Sequence, residues 1–275
     1  MFRSSFAAVL LASAGAICLA AGGAQAAAAS GLIPHRAVYD LELKDASERS
    51  GIAGMSGRMV YEFDGAECTG YTTKFRFVTQ IDTGDDRRVT DQQTNSFEDV
   101  KAGIFRFQTK SFTDEQLDKE VKGNAREVND SVKVDLSEPS KREVELAASR
   151  FPTEHMLEVI DHAKQGKKIF ESRIFDGSDN GDQTLLTTTV VGNKKTPSSD
   201  DAETRVAGVL GKSAYWPVTI AYFNDDNTAD ATPIYRMSFK LYENGITRDL
   251  TMDYGDFVLT GRLKKLELLE NKGCT

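Results

Sequence analysis

Apolar and polar side chains alternate with a period of two through most of the chain. Met59, Tyr61 and Phe63 alternate with Arg58, Glu62 and Asp64, and Tyr71, Thr73, Phe75 and Phe77 with Thr72, Lys74 and Arg76. Phe105 and Phe107 flank Arg106, and Val132, Val134 and Leu136 flank Lys133 and Asp135. Late in the chain Tyr235, Met237, Phe239 and Leu241 alternate with Arg236, Ser238 and Lys240, and Ile246, Leu250, Met252 and Tyr254 keep the same phase. Each run has one dry and one wet face, which predicts half-buried antiparallel strands. Turn signals punctuate them at Asp64-Gly65, Gly123-Asn124, Asn129-Asp130, Glu243-Asn244-Gly245 and Tyr254-Gly255-Asp256. Asn129-Asp130 and Asn244-Gly245 are tight enough for hairpins. Roughly a dozen or more strands result, which predicts one large antiparallel sheet, curled or closed to hide its edges.

One segment follows a helical period instead. Pro152 stands in a first turn with Glu154, Lys164 in a last turn, and Gly166 just beyond it. Met156, Val159, Ile160 and Ala163 form one apolar stripe. This amphipathic helix needs a surface to cover, and the mouth or lumen of a curled sheet supplies one. From Lys194 to Lys212 the chain begins polar and belongs to no clear strand, which predicts a long loop that is mobile or functional. Strand patterning resumes on both sides, so it does not divide domains, and residues 27–275 read as a single β domain.

The first 26 residues read as a secretory leader. Arg3 supplies the positive end, Phe6 to Ala21 the apolar run, and Ala24-Gln25-Ala26 the small-x-small pattern that places a cut after Ala26. The run is shorter than a spanning helix needs, so a membrane span is not expected. Ile17 before Cys18 is too bulky for a lipoprotein signal, and no twin-arginine pair is present, so the general secretory route to the periplasm is expected. The whole chain carries a formal net charge of −8, and removal of Arg3 takes it one unit further negative. That sign argues against nucleic acid and against a permanent seat on an anionic bilayer. After the cut two cysteines remain, Cys68 and Cys274. In an oxidising compartment an even pair without a Cys-x-x-Cys spacing reads as a structural disulfide.

Catalytic motifs are lacking. There is no Gly-x-Ser-x-Gly elbow, Walker loop, Gly-x-Gly-x-x-Gly or His-Glu-x-x-His, and Gly51, Gly54 and Gly57 precede a strand rather than open a helix, as a turn would. His155, Glu158 and His162 share one helical face and could hold a zinc ion, although a solvated polar edge explains the spacing as well. Asp176 to Asp182 is acidic in the manner of a calcium loop, but Thr187 stands where the bidentate acid belongs, and an acid-rich turn accounts for it. Tyr215 and Trp216, beside Pro217, could line a ligand site or fill the core. No metal, cofactor or catalytic residue is expected. A hydrolase of envelope polymers would need a carboxylate pair, and no spacing singles one out.

His35-Arg36-Ala37-x-Tyr39-x-Leu41-x-Leu43, Gly57-x-Met59-x-Tyr61-x-Phe63 and Cys68-x-Gly70-Tyr71-Thr72 resemble the opening of the EipB family of cell-envelope-integrity proteins. Pro152-Thr153-x-His155, Phe175-Asp176-Gly177-Ser178-Asp179 and Tyr215-Trp216-Pro217 are similar to later parts of that family, so the likeness covers essentially all of residues 27–275. The resemblance implies a periplasmic protein of Gram-negative alphaproteobacteria, non-enzymatic and active in stress resistance. It implies an open β-barrel or β-spiral of about fourteen strands around a helix, with the family's paired cysteines at Cys68 and Cys274. It also implies a genetic link to a periplasmic tetratricopeptide-repeat protein and a fold like that of periplasmic lipoprotein carriers. Two functions are therefore expected ahead of the hydrolase: a factor binding a lipid, lipoprotein or protein partner in or on its barrel, and a ligand-free interaction scaffold for the repeat protein.

Overall fold

A computed structural model describes residues 31–225, 232–271 and 273–274. The expected leader and its cut after Ala26 lie outside the described residues. Fourteen strands form one antiparallel sheet: β1 (His35–Ala46), β2 (Gly54–Ala66), β3 (Gly70–Asp82), β4 (Arg87–Asp99), β5 (Ile104–Thr113), β6 (Gln116–Val128), β7 (Ser131–Glu138), β8 (Arg142–Ala147), β9 (Ile169–Ile174), β10 (Leu185–Val191), β11 (Trp216–Asn224), β12 (Tyr235–Leu241), β13 (Thr247–Asp253) and β14 (Phe257–Leu268). Their order in the sheet is β8-β7-β6-β5-β4-β3-β2-β1-β14-β13-β12-β11-β10-β9. The first and last strands therefore meet in the middle, His35 facing Leu268, and both edges come from the middle of the sequence. The sheet is not closed. Beyond β8, Arg150 donates its N–H to the Arg173 carbonyl at 2.8 Å and accepts from the Phe175 N–H at 2.9 Å, so the chain leaving one edge latches onto the other.

The alternating runs sit where their pattern puts them. Met59, Phe63, Tyr71, Phe105, Phe107, Val132, Val134 and Leu136 face the interior and are buried, as are Phe239, Leu241, Ile246, Leu250 and Met252. Asn129, Gly245 and Gly255 take positive φ in the turns after β6, β12 and β13, as expected. Two expected turns are absent. β2 runs through Asp64 and Gly65 to Ala66, and the chain reverses at residues 67–69 instead. Gly123 and Asn124 lie inside β6, where the pairing with β7 shifts register. A Cβ on Gly123 would stand 2.8 Å from the Phe107 ring and 3.0 Å from Leu136, so this glycine admits close packing rather than a reversal.

The helix α1 (Pro152–Lys164) joins the two edge strands. Val159, Ile160 and Ala163 bury the expected stripe against the sheet interior, and Met156 is partly buried. Its cap comes from elsewhere. Phe151 occupies the N-cap position and offers no side-chain bond, but the Glu98 carboxylate of β4 accepts the N–H groups of Thr153 at 2.7 Å and Glu154 at 2.8 Å. A carboxylate there meets the positive end of the helix dipole and satisfies two otherwise orphan donors. At the other end Lys164 reaches Glu243 in the β12–β13 turn at 3.1 Å.

The polar stretch 194–212 is largely exposed but is anchored to the sheet interior, with Glu203, Ala207 and Gly211 buried. Asp201 pairs with Arg248 of β13 and Lys240 of β12, each at 2.8 Å, and Glu203 accepts the Leu263 N–H of β14 at 2.7 Å. Leu263 stands next to the break in β1–β14 register, at which Lys264 is the extra residue. Past β14 the chain crosses the start of β1, Leu269 N–H bonding to the Pro34 carbonyl, and ends in a disulfide between Cys274 and Cys68 of the β2–β3 turn.

Candidate functional site

Between the walls of the curled sheet lies a cavity of about 630 Å³. Its lining is divided. Met59 and Phe63 of β2, Ile220 of β11, Met237 and Phe239 of β12 and Leu250 of β13 make an apolar wall. Gln92, Thr94 and Ser96 of β4 and Thr109 and Ser111 of β5 make a strip of hydroxyls and an amide, with Lys119 of β6 beyond it. The Thr94 and Thr109 hydroxyls bond each other at 3.0 Å. Pro152, His155, Met156 and Val159 of α1 close one side, and residues 176–179 of the β9–β10 loop another.

Burial sets the chemistry of the ionisable groups around this space. Glu98, almost fully buried behind the helix N-terminus, is pushed up to about 7 by loss of solvent, although the two backbone donors pull the other way. His155 is only 6% exposed, and burial outweighs the Glu158 carboxylate to lower it to about 4, so its ring is neutral. His35 is lowered by burial as well, and its Nδ1 lies 2.8 Å from the Ile33 carbonyl. Tyr61 is raised to about 12 by burial. None of these groups forms a nucleophile and base pair with another.

The residues singled out from sequence are not gathered here. Trp216 opens β11 facing inward, 4% exposed in the core, with the Lys194 ammonium 4.2 Å above its ring. Tyr215 packs edge-on against Tyr242, and neither aromatic lines the cavity. On α1, Glu158 pairs with Arg150 at 3.0 Å and accepts the Ser172 hydroxyl at 2.6 Å, while His162 sits edge-on against Phe170 and 3.8 Å from Glu158. Only His155 of that trio lines the cavity. The described residues contain no group of three His, Cys, Asp or Glu placed to share a metal. In the acidic loop, Asp176 accepts the Ser178 N–H at 2.8 Å, as in a turn held by its own carboxylate, and Asp182 ties the loop to Arg142 of β8 at 2.7 Å.

Where the two edges approach, a second, polar crevice of about 420 Å³ is lined by Glu127, Arg150, Glu154, Glu158, Glu171 and Arg173 among others. Glu127 is raised, chiefly by burial and then by neighbouring Glu154. Arg150 binds Glu154 and Glu158 together, and Arg173 binds Asp225 at 2.6 Å, so this is a salt-linked seam.

Sequence reading passed over the polar cavity wall and the buried cation. β4 carries Thr90, Gln92, Thr94, Ser96 and Glu98 on its inner face, and so lacks an apolar one. Arg248 lies in phase with Ile246 and Leu250 yet is fully buried, bonding Asp201 and, at 2.7 Å, the Tyr242 hydroxyl. The one signal for β4 was a run of Thr, Gln and Ser as long as its neighbours' strands. No helix among the described residues is long and apolar enough to cross a membrane.

Comparison with known proteins agrees with this architecture. Residues 26–270 match the profile of a family described as EipB-like. The cell envelope integrity protein EipB of Brucella abortus (strain 2308) is 51% identical over 249 residues, which cover 89% of this chain and 88% of that protein. The crystal structure of a beta-barrel-like protein of a domain of unknown function, also from Brucella abortus, superposes with a TM-score of 0.85 at 50% identity, covering 88% of this chain and all of that one.

Proposed function

The chain belongs to the EipB-like family, and a relative 51% identical to it is named a cell envelope integrity protein; on that premise we propose that it is a non-enzymatic envelope factor whose barrel holds the apolar part of a lipid or of a lipid-modified protein. The observation that carries this reading is the half-apolar cavity of about 630 Å³ inside an unclosed sheet. Its size falls in the range of about 300–1,000 Å³ typical of small-molecule sites. A sheet meant only to present its outer surface would gain stability by filling that space, because interiors normally pack without voids. Residues 1–26 act as the leader in this reading, and the remainder works in the periplasm, where the Cys68–Cys274 bond is formed.

Native mass spectrometry of protein purified from the periplasm, with solvent extraction of what it carries, tests both points. The expected mass is that of residues 27–275 with one disulfide plus a hydrophobic molecule released by extraction. An empty protein that also fails to take up added lipid overturns the binding reading and favours a scaffold whose outer surface meets the repeat-protein partner.

A further inference from the structure

The division of the cavity wall carries information about what the cavity holds. Six inward side chains, Met59, Phe63, Ile220, Met237, Phe239 and Leu250, form the hydrocarbon side. Opposite them β4 and β5 turn Gln92, Thr94, Ser96, Thr109 and Ser111 to the same space, although β3, which pairs with β4, places Phe75 and Phe77 in register with Thr94 and Gln92. A wall that had only to pack, or to hold hydrocarbon alone, has no use for that strip, since each hydroxyl or amide there needs a polar partner. Thr94 and Thr109 satisfy each other. The exposed Gln92 and the part-buried Ser96 and Ser111 show no side-chain bond to another described residue, so all three stand open to bond water or a polar group brought into the lumen.

Volume limits the apolar part. A cavity of about 630 Å³ lies within the range of about 300–1,000 Å³ usual for small-molecule sites, which gives room for one long chain with a small head. Charge limits the head. The charged groups lining the cavity are Lys119 on one side and Asp176 and Asp179 on the other, within a chain of net charge −8, so an anionic head meets more repulsion than attraction.

We propose that the cavity is a site for a single-chain amphiphile with a neutral, hydroxyl-bearing head, the chain lying on the Met59–Phe239 wall and the head on the β4–β5 strip. This rests on the binding reading above and names its ligand class.

The test uses the processed full chain and three probes of one chain length: monomyristoylglycerol, myristate and methyl myristate. Monomyristoylglycerol is expected to bind one to one and about tenfold or more tighter than the other two, because it alone offers uncharged hydroxyl partners to Gln92, Ser96 and Ser111. In the Gln92→Leu, Ser96→Ala, Ser111→Ala protein that preference is expected to vanish while methyl myristate binds as before. Equal or tighter binding of myristate or the ester to the unmodified protein overturns the assignment of the head and leaves the chain-binding reading standing. Uptake of two chains overturns the single-chain assignment, and no binding by any probe overturns both.

Discussion

At position 248 the inner face of a strand carries a guanidinium where its neighbours carry hydrocarbon. Arg248 is fully buried, and what makes this tolerable is the carboxylate pair Asp201 and Glu203, delivered from the β10–β11 loop, with the Tyr242 hydroxyl and the Tyr215 and Tyr242 rings around it. Burial alone would raise Asp201, but its bonds to Arg248 and Lys240 hold it down near about 2. Arg248→Met should therefore leave Glu203 without its cation and Asp201 with Lys240 alone, a loss of about 3–5 kcal/mol, read as a large drop in melting temperature. Adding Asp201→Asn and Glu203→Gln should recover part of it; a single variant as stable as the parent would show the loop is not anchored here. The sequence could not reveal this residue. Alternation marks which positions face inward, and Ile246, Leu250 and Met252 set the phase correctly. Nothing local says that the position between them is inward as well as charged, because its partners lie far away in a stretch that reads as solvent-exposed loop. Tyr215 and Trp216 show the converse, since their aromatic character is used in packing.

Elements were legible in proportion to the contrast between their faces. The helix α1 was readable to within two residues of its end because its stripe, its proline and its basic last turn agree. β4 was not, because a strand whose inner face is polar shows no period-two contrast, and the reversal at Asp114-Glu115, with φ of 49° and 68°, uses neither glycine nor asparagine. The obscure strand and the readable helix meet in Glu98, the β4 carboxylate that caps α1. In the unfolded chain Glu98 releases its proton near 4.5 and in the folded protein only near about 7, so between these values the folded state binds more protons and stability falls as pH rises. His155 acts in the opposite sense: unfolded it takes a proton near 6.5, folded only near about 4, so its contribution to stability is lost as pH falls through that window. His35 is shifted in the same direction as His155. The Glu98 effect has a ceiling of roughly 3 kcal/mol, because each tenfold change in proton affinity between the two states is about 1.36 kcal/mol. Urea unfolding between pH 4.5 and 7 should show Glu98→Gln gaining stability with rising pH more steeply than the parent protein. Parallel curves for the two would mean that the carboxylate does not titrate in this range.

For the whole molecule, the period-two pattern was enough to predict an antiparallel curled sheet, and the resemblance to the EipB family supplied the strand number. Neither gave the strand order, which depends on pairings between distant segments. The disulfide is the clearest long-range link. It joins residues 206 apart, and the chain-entropy description assigns such a loop about 5 kcal/mol, a ceiling that measured bonds seldom reach. Cys68→Ser should lower the melting temperature by several degrees and speed removal of the tail after Leu268 by carboxypeptidase. Equal melting of the two proteins under oxidising conditions would show that the bond does not restrain the fold.

The order of the strands also dictates an order in time. From β1 to β8, and again from β9 to β14, every strand pairs with its neighbour in sequence, so each arm is a run of local hairpins that can zip independently. The single pairing that cannot form locally is β1 with β14, which closes a loop through nearly the entire chain. The strand order therefore predicts that folding ends where the sheet has its centre, with two arms already linked through α1 being joined down their middle by the β1–β14 pairing.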